Sequence, residues 1–284
     1  MAPLNLVARI GLTLAACAAG AAAQADTIAD WNFGTLTTTA PDNTPAATGG
    51  TQASNGATTL TSVGMTNTYA ESSYPGGSPY TFDDITNDTN STTGNGNVWR
   101  IRGSSTAATQ SGANGWSINA PQYSQGLQAT TTTAGYSNIV LSFNWASTSA
   151  GIANLQVQYT TNGSTWTNVG SLLNATVGNS STGGSYQTDT INFGSLGITS
   201  VNNDANFGVR LVAAYNPTLG NYASASSVIA GTPAAYNNSS GNWRFADVQI
   251  DGTPVPLPAS AWMMLSGAAG LGLFVRRRRI LPAA

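Results

Sequence analysis

The 284-residue sequence predicts an all-β body, an antiparallel β-sandwich of jelly-roll type, between an N-terminal signal peptide and one C-terminal transmembrane helix. Three observations predict it. Ile139, Leu141, Phe143 and Trp145 alternate with Val140, Ser142 and Asn144, and Leu155, Val157 and Tyr159 alternate with Gln156, Gln158 and Thr160. Period-two alternation marks a half-buried strand, because successive side chains leave a strand on opposite faces. Asn162-Gly163 lies between Tyr159 and Trp166, and an Asn-Gly pair between alternating runs signals a hairpin with positive φ at both central residues. No window before the tail sustains a helical period, and short strands divided by Gly, Asn and Ser read as a sandwich.

In chain order, residues 1–25 read as a signal peptide. Arg9 supplies the positive region, Ile10 to Ala23 the apolar run, and Ala23-Gln24-Ala25 the small-x-small cleavage pattern, leaving Asp26 as the first mature residue. Leu14-Ala15-Ala16-Cys17 offers the alternative of a lipobox with a lipidated Cys17. The body spans 26–252. Candidate strands run from Thr27 to Phe33, Asn97 to Arg102, Gly115 to Asn119, within Ser137 to Val169, and from Tyr186 to Phe193, Phe207 to Ala213 and Trp243 to Asp251. Thr35 to Thr68 is a Thr/Ala/Gly/Asn-rich stretch of loops and weak strands. In the last strand Trp243, Phe245 and Asp247 share one face while Val248 and Ile250 share the other. Either both faces are buried or a bulge shifts the phase near Asp247.

Composition restricts function. There is no His and no Lys, and the single Cys lies in the signal. Ser-His-Asp, Cys-His, Schiff-base and His-zinc chemistries therefore have no residues in the body. Between the tails four arginines (Arg100, Arg102, Arg210, Arg244) face eleven acids, a net charge near −7. That argues against nucleic acid, whose phosphates require a basic stripe.

Residues 253–284 form a separate signal. Val255-Pro256-Leu257-Pro258-Ala259 precedes an apolar run over 259–275, followed by Arg276, Arg277, Arg278 and Arg279. As a helix the run spans about 25 Å at ~1.5 Å per residue, within reach of a thinned bilayer. The arginines assign that end to the cytoplasm and the body to the outer side of the inner membrane.

This Pro-containing motif, Gly/Ala/Leu helix and terminal Arg cluster resemble the PEP-CTERM sorting signal. That resemblance implies recognition and cleavage by an exosortase-type transpeptidase, in bacteria that make exopolysaccharide. Leu257 stands where the family name has Glu. The likeness covers about 30 residues and concerns sorting only.

Hard cations need oxygen ligands, and two places supply them. Trp31-Asn-Phe33 and Trp243-Arg-Phe-Ala-Asp-Val248 resemble the terminal strands of jelly-roll carbohydrate-binding modules. In that family a structural calcium lies between those strands, and Asp247 matches the Asp of the last one. Asp30 is the suggested partner in the first. The second place is an oxygen-rich segment read as a loop, with Asp83, Asp84 and Asp88. Among aromatics, Tyr69, Tyr74 and Tyr80 in a Gly/Pro-rich loop are the sugar-stacking candidates. Trp99, Trp116, Trp145, Trp166 and Trp243 read mainly as core.

The expectation is a non-enzymatic cell-surface or matrix protein, exported and associated with exopolysaccharide or biofilm. A carbohydrate-binding module for exopolysaccharide and a secreted polysaccharide-active enzyme are the alternatives. An enzyme would require two carboxylates, drawn from Glu71, Asp83, Asp84, Asp88, Asp189, Asp204 and Asp247, facing across a cleft.

Overall fold

The fold is taken from a computed structural model, which describes residues 24–33, 47–64, 83–88, 97–101, 116, 120–177, 186–236 and 241–256. The apolar run 259–275, the arginines that follow it, Cys17 and the loop with Tyr69, Tyr74 and Tyr80 lie outside the described residues, as does the 115–119 strand apart from Trp116. Among the described residues no helix is long and apolar enough to cross a membrane.

Among the described residues eleven antiparallel strands build the body: β1 (Asp26–Asn32), β2 (Thr59–Val63), β3 (Asp83–Asn87), β4 (Asn97–Ile101), β5 (Gly126–Thr130), β6 (Tyr136–Ser147), β7 (Asn154–Thr160), β8 (Thr167–Asn174), β9 (Gln187–Asn192), β10 (Gly208–Ala213) and β11 (Trp243–Pro254). A short α-helix, α1 (Ala225–Ile229), precedes β11 among the described residues. The strands form two sheets. One has the order β3-β4-β11-β6-β9, with β1 also paired to β11; the other runs β2-β5-β10-β7-β8. The inward faces of both sheets meet in a single apolar cluster, which makes the body a β-sandwich. Residues 25–253 are one compact unit; the second, residues 1–24 and 254–284, is described only at Gln24 and over 254–256.

The alternation in β6 does what its period requires: Ile139, Leu141, Phe143 and Trp145 are all buried in the core. Trp145 lies parallel to Phe245 at 6.2 Å and edge-on to Trp243 at 5.5 Å. Its indole N–H donates to the Asp189 carboxylate at 2.6 Å, so the polar end of a buried tryptophan is satisfied. Truncating such a residue to alanine costs about 3–5 kcal/mol.

β11 resolves the phase question. Trp243, Phe245, Val248 and Ile250 all belong to the same core cluster. The step from Phe245 to Val248 is three residues where strict alternation allows two, so the strand carries an extra residue between them. The edge partner of β11 changes at the same place. β4 pairs with Trp243–Phe245, and β1 pairs with the stretch from Asp247 to Gly252. The irregularity turns Asp247 away from the core just where β4 gives way to β1.

Two expectations need correction, and one strand, β5, was not expected. The connection at Asn162-Gly163 is six residues long (161–166), not a two-residue turn. Gly163 has φ +72° but Asn162 is not in the left-handed region. Instead the Asn162 side chain accepts from the Ser164 and Thr165 amides at 2.9 and 2.8 Å, an Asx-type turn that substitutes for the backbone one. The segment with Asp83 and Asp84 is a strand paired to β4, not a loop. β5 joins two strands although its sequence, Gly-Leu-Gln-Ala-Thr, has little β-branched character.

Candidate cation site at the seam of the first and last strands

The site is built on the pairing of β1 with β11. Asp30 lies opposite Gln249 and Asn32 opposite Asp247, so Asp30 and Asp247 are diagonal neighbours on one sheet face. Val248 and Ile250 anchor that register by filling the core, as do Ile28 and Trp31 on β1. The other edge of β1 is covered by residues 48–52. The Asp30 amide donates to the Gly49 carbonyl at 3.0 Å, and the Thr48 amide donates to the Asp30 carbonyl at 2.7 Å. Gly50 permits this close approach with φ +95°, and a Cβ there would stand 2.5 Å from the Ile28 carbonyl oxygen.

Burial, followed by the nearby Asp30 carboxyl, pushes the Asp247 carboxyl up to about 7. Asp251, further along β11, adds negative charge and pushes in the same direction. Two carboxylates in one partly buried place cannot both ionise cheaply, so a proton on Asp247 or a bound cation relieves the site. One oxygen of each, Asp30 Oδ1 and Asp247 Oδ1, is buried with no hydrogen-bond partner. Orphaned buried acceptors of this kind suit a hard cation. No group of three or more His, Cys, Asp or Glu side chains suited to a metal occurs among the described residues. A cation here would draw its remaining ligands from carbonyl, amide or water oxygens.

Asp88 has a different role. It is fully buried and paired with Arg244, and it accepts from the Tyr186 hydroxyl at 2.8 Å. Burial and the neighbouring Asp88 charge raise the Tyr186 hydroxyl above its usual range. This carboxylate is committed to an internal ion pair rather than to a solvent-facing cation loop.

Trp99, Trp116, Trp145 and Trp243 are fully buried. Trp166 is only half-buried, with the Arg210 guanidinium 4.0 Å from its ring centroid. Sequence reading passed over Arg210 and Asp251, because which outward residues stand side by side depends on strand order. Period-two alternation reports face but not neighbour.

No family model and no curated protein match the chain. Among solved structures, the enzymatically active domain of bacteriophage CBA120 tailspike protein 4 is similar at TM-score 0.30 and 10% identity. The match covers 69% of this chain and 19% of that one, so the chain spans less than a fifth of its length.

Proposed function

We propose that this chain is an exported, non-enzymatic surface or matrix protein, sorted through its C-terminal signal, with a jelly-roll body stabilised by calcium. One observation carries the reading. β1 begins at Asp26, the residue after the small-x-small pattern, and β11 ends at Pro254, immediately before Val255-Pro256-Leu257-Pro258. The folded body thus fills the interval between two sequence-defined processing elements. Export is tested by protease treatment of intact and osmotically opened cells. A body digested only once the outer barrier is opened, or digested in intact cells, supports export. A body protected until the inner membrane is lysed contradicts it.

The jelly-roll assignment draws support from strand order. β4-β11-β6-β9 faces β5-β10-β7-β8. All connections from β4 to β11 pass between the sheets except the β7–β8 hairpin, the pattern of two interleaved Greek keys. Calcium draws support from the paired Asp30 and Asp247 and their unpartnered oxygens. There it would neutralise the two carboxylates and tie the first strand to the last. Added calcium should raise the melting temperature and chelation lower it, and Asp30→Ala should abolish the difference. Equal melting temperatures with calcium and with chelator would remove calcium from the account.

A further inference from the structure

The outer face of the five-stranded sheet carries a row that crosses every strand. Thr61 lies opposite Gln128, Gln128 opposite Arg210, Arg210 opposite Gln158, and Gln158 opposite Asn168. Four interstrand intervals of ~4.8 Å give the row a length of about 19 Å. These side chains are linked: Arg210 Nε donates to Gln128 Oε1 at 2.9 Å, and Gln158 Nε2 donates to Asn168 Oδ1 at 2.9 Å. Trp166, immediately before β8, reaches Arg210 at the middle of the row. Gly208 gives it room: a Cβ there would come within 3.1 Å of the indole. Its ring is stacked by Arg210 and remains partly exposed.

Arg210 is the unusual member. Only its Nε has a hydrogen-bond partner among the described residues, and it makes no ion pair there. The body as a whole, Arg210 included, carries a net charge near −7. A cation on a face of amides, with its two Nη groups unspent, is matched to a carboxylate, which guanidinium binds in a two-pronged geometry. The part of the indole left exposed beside it suits the C–H face of a sugar ring, and the half-buried Gln128 and exposed Asn168 amides suit hydroxyls, while buried Gln158 holds Asn168 in place.

We propose that this face binds an acidic polysaccharide of the uronic-acid type, with Arg210 pairing a sugar carboxylate and Trp166 packing on a sugar ring. The proposal deepens the matrix reading by naming the partner, yet it does not depend on the tail or on calcium.

The test is calorimetric titration of the full chain, purified in mild detergent, with trigalacturonate and with its methyl ester. The ester keeps the rings and removes the charges. Binding of the acid, weakened about tenfold or more by esterification, by Arg210→Gln and by Trp166→Ala, is the expected result. Thermal melts establish that each variant is folded. No binding of the acid, equal binding of the ester, or undiminished binding by folded Arg210→Gln would overturn the proposal. If a variant does not fold, the acid-against-ester comparison on the unaltered protein still decides. Failure here leaves export and sorting untouched, since those are read from location in the cell.

Discussion

Asp247 makes the stability of the body depend on pH in an uncommon direction. Its folded-state value near 7 lies above the ordinary 3.8, so between those limits the native state holds more protons than the unfolded chain. Stability from this group is therefore complete below about pH 3.8, declines as pH rises through about 7, and is level beyond. With chelator present to exclude cations, the melting temperature of Asp247→Asn should lack this decline. Parallel curves for the two proteins would show that Asp247 does not titrate in that window. Arg244 gives a second prediction. Asp88 is fully buried against it, and replacing Arg244 with Leu removes the guanidinium paired with that carboxylate. The expected loss is about 3–5 kcal/mol in a denaturant titration. A loss below ~1 kcal/mol would mean that the Asp88 pocket can do without the guanidinium.

At the scale of elements, the seam between β1 and the 48–52 segment depends on Gly50. Alanine there would need positive φ and would press on the Ile28 carbonyl, so Gly50→Ala should destabilise by about 1–3 kcal/mol. It should also weaken any calcium response, because the same segment closes against Asp30. The strands with strict alternation, β6 and β7, were legible in the sequence because one face is wholly apolar. β3 and β5 were not. Asp83–Asn87 has the composition of a turn, and Gly126–Thr130 contains a single large apolar residue, Leu127. Their neighbours hold them in place: β5 lies between β2 and β10, and β3 adds to β4. The pairing of Asp30 with Asp247 was suggested by likeness to a family and is brought about by β1–β11 register. The row through Arg210 was invisible, since it requires five strands in known order.

For the whole molecule, the first and last strands of the body lie side by side, with Asp26 opposite Gly252. The body is thus closed on itself between the two segments read as signals. Its core is rich in aromatic residues beside Ile, Leu and Val and needs no disulfide, which agrees with Cys17 being the one Cys of the sequence. The most direct test of the central claim is the intact mass of the protein recovered from outside the inner membrane, in cells with and without the transpeptidase. The account predicts a chain beginning at Asp26 and, with the transpeptidase present, ending within Pro256–Ser260. Without the transpeptidase, the Arg276–Arg279 tail should be retained in the membrane fraction. A single unchanged mass in both strains, with tail and leader attached and the protein in the cytoplasmic fraction, would contradict it.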